Sequence, residues 1–198
     1  MKKVAITGGL SSGKSTVCKI FKDLGAYTVS SDEIVHNLLL HDRTIHQNIL
    51  LLLGPEILSS NHIDRGKVAQ IVFSDTKKLQ ALENLLHPAV FHEIQSLHKK
   101  VEEENKYALF IAEVPLLFET DHQSLFDTVI TVLSDQSRCR ERFTNMTSRE
   151  EVDFDDRMMR QIPPQEKAAR ADFILMNNGT LADLKDQVTQ LVSQLRST

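Results

Sequence analysis

The run Gly8-Gly9-Leu10-Ser11-Ser12-Gly13-Lys14-Ser15 constrains this chain more than any other stretch of it. It fits G-x-x-x-x-G-K-[ST] without a mismatch, and each fixed position has a physical reason. Glycines let the backbone turn so that successive N–H groups point inward at anionic oxygens. A helix starting just after the loop adds the positive end of its dipole. Lys14 brings a point charge suited to the β- and γ-phosphates of a nucleoside triphosphate, and the Ser15 hydroxyl is a ligand suited to Mg²⁺. The flanks supply the required context. Val4 to Thr7 form a short apolar run of strand type, while Val17, Ile20, Phe21 and Leu24 recur at helical spacing until Gly25 stops them.

The same alternation continues. Ala26 to Ser30 read as a second strand, and a helix is predicted from about Asp32 to Leu40, which argues for a parallel sheet covered by helices. From Ile45 to Glu104 helical periodicity dominates, through Ile49 to Leu53, Val68-Ile71-Val72 and Leu79-Leu82-Leu85-Leu86, and predicts a long helical insertion. Strand signals return at Tyr107 to Val114, Phe126 to Leu133 and Asp172 to Met176. Leu181, Leu184, Val188, Leu191 and Leu195 then predict a closing helix.

Composition narrows the function classes. The 198 residues suit one domain, or one core with insertions, and an apolar content of 41% is enough for a buried core. A formal net charge of −4 gives no support for a nucleic-acid partner or a polybasic membrane contact. Cys18 and Cys139 stand far apart and match no metal-ligand spacing, so they read as reduced thiols. No signal peptide or membrane-spanning segment is expected, and the chain reads as soluble and cytoplasmic.

The phosphate loop leaves the fate of the phosphate open. Asn105-Lys106-Tyr107-Ala108 lacks the Asp with which N-K-x-D reads guanine, and large motor ATPases need a longer chain. A small-molecule kinase needs a carboxylate to activate its acceptor and cations around the transferred group. Asp32, just past the second strand on the edge where the loop opens, suits that carboxylate, and its position suits a helix N-cap equally well. Glu113 ends the apolar run Leu109-Phe110-Ile111-Ala112, as an acid ordering a Mg²⁺ shell does, or as a surface acid does.

Arginines cluster downstream: seven of the ten in the chain fall between Arg138 and Arg170. Asp153–Arg157, Asp156–Arg160 and Glu166–Arg170 are each spaced for i,i+4 pairing, and Arg138 has acids three residues to either side. Arg140 and Arg142 have no acid at those spacings, which leaves them free to meet phosphate or stack on adenine. Asp64 is placed to cap a helix, putting Arg65 in a first turn where the macrodipole disfavours a cation. An anionic ligand offsets that cost, and so does a simple pair with Asp64.

Taken together, these segments resemble the dephospho-coenzyme A kinase family. Thr7-Gly8-Gly9 and Ser12-Gly13-Lys14-Ser15-Thr16 match its T-G-G and S-G-K-S-T, and Asp32 falls on the second acid of its D-x-D. Asp64-Arg65, Leu82-Glu83 and His87-Pro88 match D-R, L-E and H-P, while Val114-Pro115-Leu116-Leu117-Phe118-Glu119 matches V-P-L-L-F-E. Arg157 with Gln161, Glu166-Lys167, Ala171-Asp172 and Asn177 with Gly179 match R-x-x-x-Q, E-K, A-D and N-x-G. Ser30 replaces the first acid of D-x-D, and Ser137 and Thr144 stand where the family tends to have Gln and a second Arg.

The resemblance implies an α/β fold: a P-loop NTPase-type parallel sheet flanked by helices, with a helical acceptor-binding insertion and a lid. All of residues 1–198 form one kinase domain in this reading, with a core of about 1–35, 105–135 and 166–198, an insertion of about 36–104 and a lid of about 136–165. It implies ATP held by Gly8, Gly9, Leu10, Ser11, Ser12, Gly13, Lys14, Ser15, Thr16, Arg140 and Asn177, with Mg²⁺ on Ser15. Asp32, Lys14 and Arg140 are the expected catalytic residues, and Asp32, Arg65 and His87 the expected acceptor side. The implied reaction moves the γ-phosphoryl group of ATP to the ribose 3′-hydroxyl of 3′-dephospho-coenzyme A. The rivals are another small-metabolite kinase, of nucleoside monophosphate or shikimate type, and a nucleotide-binding switch without an acceptor.

Overall fold

The computed structural model describes residues 1–60, 62–147 and 151–197. The chain runs β1 (Lys2–Gly8), α1 (Lys14–Asp23), β2 (Tyr27–Ser30), α2 (Ser31–His41), α3 (Arg43–Leu53), β3 (Leu58–Ser59), β4 (His62–Ile63), α4 (Arg65–Ser74) and α5 (Thr76–Glu104). It continues through β5 (Leu109–Glu113), β6 (Thr128–Leu133), α6 (Gln136–Thr147), α7 (Glu151–Met158), α8 (Pro164–Arg170), β7 (Phe173–Met176) and α9 (Leu181–Ser197). The contacts divide it into two compact units, one of residues 1–30 and 98–198 and one of residues 31–97.

The first unit is built on a parallel sheet of order β2-β5-β1-β6-β7. Val4, Ala5 and Ile6 of β1 are fully buried, as a central strand covered on both faces requires. The α1 face of Val17, Cys18, Ile20 and Phe21 joins Leu184, Val188, Leu191, Val192 and Leu195 of α9 over Ile6, Ile111 and Ile130. Trimming one of these to Ala costs about 2–5 kcal/mol. Because β1 lies between β5 and β6, the chain turns away from it in both directions, and ligands of such sheets gather at the carboxyl end of that strand. The outer edge at β7 is closed by a side chain: Gln187 of α9 accepts from Met176 N and donates to Met176 O, both at 3.0 Å.

The second unit packs α2–α5 around Leu39, Ile45, Ile49, Leu53, Ile57, Ile63, Val68, Val72 and Leu82. Asp42 caps α3 by accepting from Ile45 N, and Asp64 caps α4 by accepting from Gly66 N and Lys67 N. The antiparallel pair β3–β4, which the helical periodicity does not predict, is held to α4. Lys67 Nζ donates to Leu58 O at 2.6 Å, and Ser59 Oγ to Asp64 at 2.9 Å. The boundaries also depart from the expected 36–104. α2 belongs to this unit from its first residue, and α5 leaves it at Leu97. α5 has an unbroken helical pattern, yet its last turns have different neighbours. His98 sits edge-on to Phe110 at 5.1 Å, and Glu102 binds the N-terminal amine.

Candidate active site

β1 delivers the glycine loop at the carboxyl edge of the sheet, and α1 begins directly at Lys14. Two glycines are enforced by space as well as conformation. Gly8 has φ 143° and faces β6, where a Cβ would meet Val132 O at 2.3 Å. Gly13 has φ 101°, and a Cβ there would meet Asn177 Nδ2 at 2.1 Å. The loop closes on itself through Ser12 N to Gly9 O at 3.3 Å. Lys14 is buried and curls back along the loop, its Nζ donating to Gly9 O at 2.8 Å and Gly8 O at 3.3 Å.

The loop is also held from outside. Asn177, beyond β7, donates from Nδ2 to Ser12 O at 2.8 Å. Arg142 of α6 donates to the same carbonyl at 3.5 Å, to Ser134 Oγ at 3.2 Å and to Asn177 O at 3.1 Å. Leu10 packs against Cys139, Phe143 and Phe154 of the α6–α7 pair, and a cavity of about 470 Å³ opens between Leu10, Ser12, Cys139, Phe154, Gln161 and Pro164. Burial pushes the Cys139 thiol up, so it is an inert wall rather than a nucleophile.

Ser15 and Thr16 are exposed at the start of α1. Ser15 Oγ donates to Glu113 Oε1 at 3.1 Å, and Glu113 is the last residue of β5, in register with Ile6 and Ser30. A hydroxyl beside a carboxylate is a hard-oxygen donor set and fits Mg²⁺, which takes one or two protein oxygens and completes its shell with phosphates and water. Among the described residues no cluster of three His, Cys, Asp or Glu side chains is placed to hold a metal by itself.

Arg140 and Arg142 correct the expectation that both stand free. Arg140 makes a bidentate pair with Asp155 of α7, at 2.9 and 2.6 Å, and lies over Phe154. Its guanidinium holds the Asp155 carboxyl below the usual carboxylate range. Arg142, also on α6, donates to the phosphate loop at Ser12 O instead. Both partners are remote in sequence, so counting acids three or four residues away missed them. Glu166 and Arg170 pair along α8 as their spacing predicts, and Asp135 lies 4.0 Å from Arg138. Arg149 and residues 148–150 of the expected lid lie outside the described residues.

Of the acceptor-side residues, Asp32 is the second residue of α2 and two residues past the end of β2. It therefore stands in the first turn rather than at the cap, where the helix dipole favours its carboxylate. Arg65 opens α4 beneath its Asp64 cap, and His87 lies within α5 just before Pro88, which withholds one N–H from the helix ladder. The sequence reading gave no separate role to Thr7, Pro115, Glu119 and Lys167, which one chain of hydrogen bonds links. Thr7 Oγ1 and Lys167 Nζ both donate to Pro115 O, and Lys167 Nζ also donates to Glu119. Their only sequence signal was membership of matched motifs.

A central parallel strand ending in a lysine-bearing glycine loop, with a serine–glutamate pair beside it, defines a P-loop nucleotide-binding protein. A sequence profile of the dephospho-CoA kinase family matches residues 2–183. The dephospho-CoA kinase of Protochlamydia amoebophila is 48% identical over 99% of this chain and 97% of its own length. Among solved structures, a Thermus thermophilus protein superimposes with TM-score 0.81 at 27% identity, covering 98% of this chain and 97% of its own. The dephospho-CoA kinase from Campylobacter jejuni does so with TM-score 0.67 at 25% identity, covering 100% and 98%. This chain belongs to the dephospho-CoA kinase family.

Proposed function

We propose that the chain transfers the γ-phosphoryl group of ATP to the ribose 3′-hydroxyl of 3′-dephospho-coenzyme A, releasing ADP and coenzyme A. The observation that carries this reading is the Lys14 loop with its Ser15–Glu113 pair, in a chain whose family profile runs through both compact units.

In this reading residues 8–16 hold the triphosphate, with Lys14 exchanging the loop carbonyls for β- and γ-phosphate oxygens. Asn177 and Arg142 keep the loop in shape while that exchange occurs. Ser15 would hold Mg²⁺ directly and Glu113 would orient it, and the ion would supply positive charge against the phosphates. Asp32 binds the 3′-hydroxyl and takes its proton as the oxygen attacks phosphorus. Arg140 exchanges Asp155 for the transferred phosphoryl group, which offers the same bidentate geometry. Arg65 and His87 serve the acceptor's pyrophosphate, and the α6–α7 lid excludes water, which otherwise competes with the acceptor. We place the reaction in the cytoplasm, in keeping with the unpaired Cys18 and Cys139.

Incubation with Mg²⁺-ATP and dephospho-coenzyme A, with the product mass read directly, tests the assignment. Coenzyme A is expected; its absence, with phosphorylation of a nucleoside monophosphate or shikimate instead, overturns the acceptor.

A further inference from the structure

We propose that Glu119 and Lys167 are positioning residues for phosphoryl transfer, fastening the far end of the α6–α7 arm to the root of the phosphate loop. The proposal rests on the reading that this arm covers the transferred group.

The fastening is a continuous run of hydrogen bonds. Thr7, the residue before Gly8, donates from Oγ1 to Pro115 O at 3.2 Å. Lys167 Nζ donates to the same carbonyl at 2.7 Å and to Glu119 Oε1 at 2.6 Å. That oxygen also accepts from Ile162 N at 2.9 Å, where the arm ends before α8. Thr131 of β6 adds a bond to Lys167 O at 3.3 Å, holding the main chain at Lys167 to the sheet. Pro164, two residues past Ile162, leans on the loop so closely that a Cβ on Gly9 would sit 2.9 Å from its Cγ.

The chemistry of the pair explains why it governs geometry. The Lys167 side chain is wholly buried and Glu119 is 15% exposed, so neither charge can turn to water without losing the other. Burial pulls the Lys167 pKa down, and Glu119 works against that. Replacing a buried ion pair by apolar residues of similar volume is often neutral or stabilising. Stability alone therefore does not account for this pair, and the role proposed for it is to fix an arrangement. Here it fixes the Ile162 main chain relative to Thr7, so the arm pivots from a set point beside Gly9. An arm loose at that point lets water reach the γ-phosphorus. The water oxygen then bonds to phosphorus while its proton passes to surrounding water, the bond to the β–γ bridging oxygen breaks with its electron pair staying on ADP, and ADP and inorganic phosphate leave.

The readout is the partition of ATP between hydrolysis and coenzyme A formation, measured with thermal midpoints. E119L/K167M removes both charges together and leaves Ile162 N without its acceptor, whereas E119Q/K167M keeps an amide oxygen there. The expected result is a hydrolysis-to-transfer ratio raised about tenfold in E119L/K167M, which loses both the link to Pro115 O and the acceptor for Ile162 N. In E119Q/K167M, which loses only the link, the ratio rises by a smaller factor of about threefold, and the midpoint of E119L/K167M is the lower of the two. Should E119L/K167M not fold, I162P deletes the N–H donor while leaving the pair, and the same rise of about tenfold is expected. A wild-type ratio in E119L/K167M, or in I162P where that is the variant tested, overturns the proposal. Wild-type enzyme that makes no coenzyme A overturns the assigned reaction, and this proposal with it; a productive wild type with unchanged partition in the variants overturns the fastening alone.

Discussion

Asn177 Nδ2 donates to Ser12 O at 2.8 Å, joining the residue after β7 to the phosphate loop across 165 positions of sequence. The contact is buried, and the same carbonyl's other donor, Arg142, lies 3.5 Å away. Asn177→Ala therefore frees the loop rather than removing a ligand to phosphate. We expect the KM for ATP to rise about tenfold, with stability lower by about 1–2 kcal/mol. Steady-state kinetics and chemical denaturation check both; an unchanged KM reduces Asn177 to a packing residue.

Asp32 opens α2 two residues past β2, and its proposed role is chemical. Asp32→Asn keeps the side-chain shape and removes the base. Turnover should fall by about 100-fold or more while ATP affinity holds, the scale of general-base loss. Nucleotide titration beside single-turnover rates separates the two effects, and near-normal turnover would falsify the base assignment.

The Ser15–Glu113 bond at 3.1 Å ties the hydroxyl that would face Mg²⁺ to a carboxylate on the next strand. Glu113→Gln retains an acceptor for Ser15 but loses the negative charge behind the metal. The Mg²⁺ concentration for half-maximal rate should rise about tenfold, as for other residues that orient a metal ligand. A magnesium titration at saturating ATP reads this directly, and an unshifted midpoint removes Glu113 from the metal's surroundings.

How much of this was legible beforehand depends on whether the signal is local. β1, the loop and α1 were readable because strand run, glycines and helical spacing follow one another within a few residues. β5, β6, β7 and α9 were readable for the same reason. β3 and β4 were not, since strands of two residues carry no periodicity. The end of the second unit was hidden because α5 keeps its helical pattern while changing neighbours at Leu97. Arginine partners failed differently: Asp155 meets Arg140, and Ser12 meets Arg142, only once α6 is folded against α7 and the loop. Lys167 was the deepest miss, a lysine on a charged helix whose side chain is entirely buried.

The Arg140–Asp155 pair makes acid sensitivity predictable in sign. Two hydrogen bonds from Arg140 lower the folded-state pKa of Asp155, below the value of about 3.9 in an unfolded chain. Stabilisation from the pair is thus complete above that unfolded value and fades as pH falls through the lower folded one. Comparing wild type with Asp155→Asn by thermal melts, the gap between them should be constant from about pH 8 to about pH 5 and close on further acidification. A gap that widens toward acid contradicts the pairing.

Gln187 offers its amide oxygen and nitrogen to both main-chain groups of Met176, much as a neighbouring strand would. The border strand of the sheet is thereby plugged at the point where Ile174 and Met176 present greasy, half-open side chains. An unplugged border with such residues invites another molecule to add its own strand, the first step toward insoluble stacks. One glutamine on the closing helix thus bears on whether the protein stays dispersed in a crowded solution.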